Sequence, residues 1–295
     1  MLLPELSYLR ARSVEEALAL WSEKPDARFM AGGTDLLPQA RCGTCSPVCK
    51  GGDSSPPRTV IDVKSIPELR EIRQTEDGSL AIGAAVSVAS VARHPELRRH
   101  YPLLVDCCLS LGSYPLRNRA TVVGNICNAS PCADTSAALL ALDARVAAVG
   151  PGGRREIDMG DFFQGPGQTA LRAGELVVEV LLHEKYRGGR GHYGRIARRR
   201  AVDISTVAVA VSYFAGLEPG HRITLLSVAP TPLRVPEAEK LLDRKGPDAA
   251  EKAAEICIAA CSPIDDVRAS AGYRRAMVGV LAERGVRTLA VGAGR

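Results

Sequence analysis

No apolar run in the sequence approaches the ~18 residues of a membrane-crossing helix, and the opening MLLPELSYLR lacks the apolar segment of a secretory leader. Aromatic side chains are scarce, with one Trp, four Phe and seven Tyr in 295 residues, and the net charge is only +5. Stacking platforms and a strong basic balance, the marks of nucleic-acid binders, are therefore both missing. Local arginine runs such as Arg198, Arg199 and Arg200 suit an anionic small molecule or a partner protein instead. The phosphate-binding run G-x-x-x-x-G-K-[ST] is also absent. Ordinary proportions of apolar and charged residues exclude disorder and coiled coil, and the length allows two domains with ample core. These absences predict a soluble globular protein of the cytoplasm.

Cysteine is not scarce. Nine thiols, an odd number, in a reducing compartment point to buried side chains or metal ligation before disulfides. Cys107, Cys108, Cys257 and Cys261 fall on or beside helical patterns and read as core thiols. The five histidines show no ligand spacing and read as surface or satisfied groups.

Taken in order, LSYLRA alternates as a strand, and Ser13 with Glu16 forms a capping box before the helical run VEEALALW. A second apolar run, Ala27 to Ala31, ends at Gly32 and Gly33, after which Thr34 or Asp35 caps a short helix. Residues 41–58, RCGTCSPVCKGGDSSPPR, break the pattern and read as a loop. Asp77-Gly78 joins two alternating runs as a hairpin, Ser87 caps VASVAR, and Leu103 to Leu111 reads as a helix. Thr135 to Leu142 is a further helix, followed by strands RVAAVG and REIDM around a Pro151-Gly152-Gly153 turn. The Gly/Pro-rich DFFQGPGQTALRAGE closes a first domain, residues 1–175, with subdomains of about 1–58 and 59–175. In 176–295 the strands ELVVEVLL, HYGRIAR, TVAVAVSYF and RITLLSVA, with helices 237–242, 249–260 and 270–281, predict an antiparallel sheet backed by helices, so the fold class is α+β.

Two stretches share one grammar. Phe29 to Leu36 (FMAGGTDL) and Ala120 to Asp134 (ATVVGNICNASPCAD) each run from an apolar strand through glycine to small polar residues where a helix begins. Neither turn is the G-x-G-x-x-G of a dinucleotide site. Glycine admits a phosphate close to backbone N–H groups, and a helix start adds unpaired donors. Alone, a Gly-Gly-Thr-Asp turn is ordinary turn chemistry. Paired with Thr121, Asn125 and Ser130 as side-chain donors, and Asp134 as an acceptor for a ribose hydroxyl, it points to a phosphate-bearing cofactor.

AGGTDLLPQ, TVIDVKSIPELREI, PLRNRATVVGNICNASPCADTSAALLALDA, DFFQGPGQT and RRRAVDIS, in this order, resemble the FAD-binding medium subunit of molybdenum hydroxylases, the group of xanthine dehydrogenase, carbon monoxide dehydrogenase and hydroxybenzoyl-CoA reductase. The resemblance implies a vanillyl-alcohol-oxidase-type (PCMH-like) FAD domain of two subdomains and a carbon monoxide dehydrogenase flavoprotein-like C-terminal domain. It places Phe29, Met30, Ala31, Gly32, Gly33, Thr34, Asp35 and Leu36 on one side of the FAD diphosphate, with Thr121, Val123, Gly124 and Asn125 on the other. It sets Asp134 by the adenosine ribose or the chain linking it to the flavin, Leu111 against the cofactor and Val177 near the isoalloxazine. Arg195 stands where the family often has a lysine, and Val123 where it usually has glycine. No catalytic acid, base or nucleophile is implied, because the flavin does the chemistry. The implied partners are a molybdenum-cofactor large subunit, a [2Fe–2S] small subunit, and NAD, a quinone or another acceptor.

Cys42, Cys45 and Cys49 depart from that pattern, in a loop where the family usually has a short basic link. Their spacing is that of metal ligation, with Cys127 or Cys132 as a fourth ligand of a [4Fe–4S] cluster. The other reading is a cysteine-bearing loop with no metal. For the whole chain the reading is an electron-transfer subunit. The alternatives are a flavin-free docking subunit on the same fold and a self-sufficient flavin oxidase.

Overall fold

A computed structural model describes residues 5–45, 47–49, 54–199 and 202–291, with the backbone alone for Val48 and Cys49. The chain forms two compact units. The first takes residues up to Val91, Tyr114–Ser130 and Asp143–Glu184; the second takes Ala92–Ser113, Pro131–Leu142 and Lys185 onward.

In the first unit β1 (Ser7–Arg10), α1 (Val14–Glu23) and β2 (Arg28–Met30) begin a parallel sheet. Ser13 Oγ accepts from Glu16 N–H at 3.1 Å, and Glu16 returns a bond to the Arg12 N–H at 2.7 Å, so the capping box holds with its return arm one residue early. After α2 (Leu36–Arg41) and β3 (Val48–Cys49), β4 (Thr59–Asp62) inserts between β1 and β2 with all four residues buried. The 41–58 stretch is therefore not wholly loop. β3 pairs parallel with β10 (Gln168–Thr169), which itself pairs with β9 (Phe163–Gly165).

The second sheet of this unit follows β5 (Ile72–Gln74) and β6 (Leu80–Gly83), joined by the Asp77-Gly78 turn with Gly78 at φ +78°. Beyond α3 (Val88–Arg93), which Ser87 caps, come two helices of the second unit, α4 (Pro95–His100) and α5 (Pro102–Ser110). The chain re-enters the first unit at α6 (Tyr114–Arg117) and α7 (Val122–Cys127), and leaves it again for α8 (Asp134–Ala141). β7 (Arg145–Gly150), β8 (Gly153–Asp158), α9 (Met159–Phe162) and β11 (Leu176–Leu182) complete it. The strand order is β5-β6-β11-β7-β8. ELVVEVLL, expected with the C-terminal strands, is thus the centre of this earlier sheet. Its seven residues are buried, and Glu179 among them receives Arg73 at 2.8 Å and Arg154 at 2.7 Å. A central strand covered on both faces loses the alternation that would reveal its partners.

The second unit is built on β12 (Arg190–Ile196), β13 (Val207–Tyr213), β14 (His221–Leu226) and β15 (Leu233–Arg234), antiparallel in that order. Val207, Val209 and Val211 face α10 (Pro236–Lys245), α11 (Ala250–Ala260) and α12 (Ala271–Val291) in one core. The opposite face receives α5 and α8, and Thr224 Oγ1 donates to the Ala137 carbonyl at 3.0 Å. The last helix runs ten residues beyond its expected end at Leu281. Gly279 and Gly285 weaken the helical pattern, and both are packing sites. A Cβ would lie 2.8 Å from Ile258 Cδ1 at the first and 2.7 Å from Val211 Cγ2 at the second.

Arg274, buried on α12, donates to the Thr206 carbonyl at 2.6 Å, the Ser227 carbonyl at 3.0 Å and Asp266 at 2.6 Å. Desolvation alone would raise the Asp266 carboxyl, but hydrogen bonds from the Arg268 and Ala269 N–H groups and from Arg274 outweigh it and bring the pKa to about 2. The unfolded chain titrates this carboxyl near ~3.9. A lowered folded-state pKa stabilises fully above about 4, and the contribution disappears as pH falls through about 2. Asp266→Asn should lower the thermal midpoint at neutral pH and flatten the acid-side loss of stability across that window. An acid limb identical to the wild type would contradict this role.

Candidate functional site

The first glycine turn connects β2 to α2. Gly33 takes φ +69°, a left-handed conformation open to glycine and strained for a β-branched residue. Gly32 is small for another reason. A Cβ there would stand 2.3 Å from the Arg119 carbonyl oxygen and 2.9 Å from Ala120 Cα. The backbone of the first turn thus lies on the backbone that leads into the second.

The second stretch is helical earlier than expected. Thr121 caps α7 with its Oγ1 accepting from the Gly124 N–H at 2.9 Å, so Gly124 spends its donor within the helix. Val123, the departure from the family's glycine, turns its side chain into the buried interior and leaves the N–H face unobstructed by it. Among the described residues, the N–H groups of Thr34, Asp35, Leu36 and Val123 have no hydrogen-bond acceptor, while that of Val122 is directed at the Val86 carbonyl in the Ser87–Thr121 bridge. Free N–H groups at two adjoining helix starts fit phosphate oxygens. Asp35 stands at the N-cap position of α2 without capping it, and Thr34 does not cap it either. Although Asp35 is exposed at the surface, the atoms crowded around it desolvate its carboxyl and raise its pKa. Phe29 and Met30 end β2, Ala31 follows them, and Asn125 N–H bonds the Thr121 carbonyl at 3.0 Å. Ser130 and Val177 also belong to this unit, with Val177 buried in β11.

Leu111, Asp134 and Arg195 lie in the second unit. Asp134 opens α8, and its Oδ1 accepts from Tyr193 Oη at 2.6 Å and from Ser205 Oγ at 3.1 Å. Burial pushes the Asp134 carboxyl up, against the lowering effects of Tyr193, nearby Arg195 and Ser205. Burial and the Asp134 charge push the Tyr193 phenol well up. Arg195 Nη1 donates to the Ser110 carbonyl at 2.5 Å and Nη2 to the Asp203 carbonyl at 2.8 Å. Tyr193 and Ser205 were not singled out from the sequence. Tyr193 was within reach, because strand alternation puts it on the same side of β12 as Arg195.

Among the cysteines proposed as ligands, Cys42 is exposed, Cys45 is buried with its thiol 4.0 Å from the Leu36 carbonyl, and Cys127 is partly buried. All belong to the first unit, whereas Cys132 belongs to the second. The side chain of Cys49 lies outside the described residues. Desolvation raises the Cys45 thiol and pushes Cys127 up to about 12, so both favour the neutral form over the thiolate that metals bind. Among the described residues no three His, Cys, Asp or Glu side chains group as metal ligands. Cys107, Cys108, Cys257 and Cys261 are buried, as their positions on helices imply.

The chain is a protein of mixed helix and sheet whose first unit holds the two glycine turns against one another. Residues 4–182 match the model of the FAD binding domain in molybdopterin dehydrogenase, and residues 192–289 that of the CO dehydrogenase flavoprotein C-terminal domain. The chain belongs to this family of FAD-binding flavoprotein subunits of molybdenum hydroxylases. It is 32% identical over 288 residues to the carbon monoxide dehydrogenase medium chain of Hydrogenophaga pseudoflava, covering 96% of each chain. With the putative xanthine dehydrogenase FAD-binding subunit XdhB of Escherichia coli K12 it shares 33% identity over 240 residues, 79% of this chain and 78% of the relative. A solved chain of the Hydrogenophaga pseudoflava enzyme lacking the Mo-pyranopterin moiety superposes with a TM-score of 0.87 at 32% identity, over 97% of this chain and 98% of that one.

Gly32→Ala tests the contact between the turns. It should cost about 1–3 kcal/mol of stability, because the Arg119–Ala120 backbone must move, and it should weaken FAD binding. Gly152→Ala, with no atom near the added Cβ, serves as the control and should change neither. Equal melting and equal FAD affinity in the two variants would contradict the packing of one turn on the other.

Proposed function

We propose that this chain is the FAD-binding electron-transfer subunit of a heteromeric molybdenum-containing hydroxylase, on a vanillyl-alcohol-oxidase-type (PCMH-like) scaffold. The observation that carries the proposal is the pair of helix starts whose N–H groups are unpaired, held together by the close approach of Gly32 to Arg119 and Ala120. When bound, FAD supplies exchange between single-electron and electron-pair carriers. Thr34, Asp35 and Leu36 from one turn, and Val123 from the other, would hold its diphosphate. Glycine at 32 lets the two turns meet, and glycine at 33 supplies the left-handed backbone of the first. Val177, Asn125 and Ser130 would border other parts of the cofactor.

Relatives whose names describe them as a medium chain or a medium subunit support assembly with further subunits. In this reading the chain stands between the [2Fe–2S] clusters of a small subunit, supplied by a molybdenum large subunit, and an acceptor such as NAD or a quinone. No helix among the described residues is long and apolar enough to cross a membrane. In this reading the chain works in the cytoplasm.

A second reading, a [4Fe–4S] cluster on Cys42, Cys45 and Cys49 with Cys127 or Cys132, is favoured by one placement. β3 carries Cys49 against β10, and in the β9–β10 hairpin the Gly167 N–H bonds the Ala129 carbonyl at 2.9 Å, two residues past Cys127. The raised thiols of Cys45 and Cys127 weigh against it.

The purified chain, supplied with FAD, should show the visible bands of oxidised flavin and retain them through desalting. Loss of all flavin colour would defeat the proposal and favour a docking subunit without cofactor. Iron and acid-labile sulfide in the same sample would establish the cluster; their absence from FAD-loaded protein would leave the loop as thiols alone.

A further inference from the structure

Gly32 joins the two turns where α2 and α7 begin. For helices of six residues, one such contact fixes a distance and leaves an angle free. A second tie lies toward their other ends. Gln39, within α2, donates from Nε2 to Oδ1 of Asn128, the residue that closes α7, at 2.9 Å and across 89 positions of sequence. Both side chains are half-buried, and both belong to the first unit.

The backbone holds Asn128 in place for this bond. Its N–H reaches the Gly124 carbonyl at 3.1 Å, and the chain then leaves the helix through Ala129 at φ +47°. That left-handed conformation is unfavourable for a residue with a Cβ and persists where the surroundings impose it. Ala129 is 1% exposed, its N–H bonds the Ile126 carbonyl at 2.9 Å, and its carbonyl accepts from the Gly167 N–H at 2.9 Å. The reversal thus falls directly after the side chain that meets Gln39.

We propose that Gln39 and Asn128 are positioning residues: their hydrogen bond fixes the angle between α2 and α7, so that the N–H groups of Thr34, Asp35 and Leu36 and that of Val123 keep one spacing toward a single diphosphate. The proposal rests on the reading of the two turns as the diphosphate site. Loss of the bond leaves the contact at Gly32 intact, so its effect falls on ligand binding more than on folding.

An amide pair can bond in either sense, donor to acceptor, which makes a set of carboxylate variants diagnostic. Gln39→Glu accepts from the Asn128 amide, and Asn128→Asp accepts from Gln39, so each single variant should keep FAD affinity near the wild type. The double variant Gln39→Glu/Asn128→Asp sets two carboxylates against each other. In the full chain, well below unfolding, it should bind FAD about tenfold more weakly and displace the ³¹P resonances of the bound diphosphate. Its affinity should recover as the pH falls from about 8 to about 5, because one carboxyl of a facing pair takes up a proton. Gln39→Met, similar in shape and helix propensity, removes the bond without adding charge; it should weaken FAD binding too, and decides the matter if the double variant does not fold. Wild-type affinity in the double variant or in Gln39→Met would overturn the proposal, as would a double-variant loss equal to the sum of the single ones. Should the wild type bind no FAD, the functional reading falls and this proposal with it; binding by the wild type and equal binding by the variants overturns the proposal alone.

Discussion

The candidate site depends on one contact, the approach of Gly32 to the backbone of Arg119 and Ala120. A side chain at 32 would push the β2–α2 turn away from the start of α7, and the free N–H groups of the two helices would no longer address one ligand. The surrounding structure serves that contact. Parallel pairing of β2 with β4 aims the first turn, and the bond from the Val88 N–H to the Ala120 carbonyl, with the Ser87–Thr121 bridge, fixes the second. Thr121 takes up the Gly124 donor and leaves that of Val123 without an acceptor among the described residues. Two short helices supply little dipole each; shared geometry is what makes them one binding surface.

The second unit follows another logic. Several of its buried polar groups find partners within the unit: Asp134 in Tyr193 and Ser205, Arg195 and Arg274 in main-chain carbonyls, Glu239 in Arg234 and the Ile223 N–H. Removing one partner from such a set leaves a buried group without its bond, which costs more than the bond contributes when made. Asp134 and Arg195, read from the sequence as cofactor contacts, are also the groups that join α5, α8, β12 and the 203–206 segment.

Features set by local chemistry were legible in the sequence. Ser13 and Ser87 cap helices, Asp77-Gly78 turns a hairpin, and the AGGTD and TVVGN stretches, read as a pair, lie against one another. What escaped was set by distant partners. β11 is buried throughout, so nothing in its pattern says which sheet it joins. The last helix was expected to stop at Leu281, and the packing of Ile258 against Gly279 and of Val211 against Gly285 lies outside what the sequence pattern displays. The cysteine loop gave a ligand-like spacing, and spacing does not report the burial that raises the Cys45 and Cys127 thiols.

The central claim is that two backbone turns hold one diphosphate, and a crystal structure of the FAD-loaded chain tests it most directly. The account predicts phosphate oxygens within hydrogen-bond distance of N–H groups from both turns, in 34–36 and at Val123. A diphosphate resting on one turn alone, or elsewhere on the chain, would contradict it.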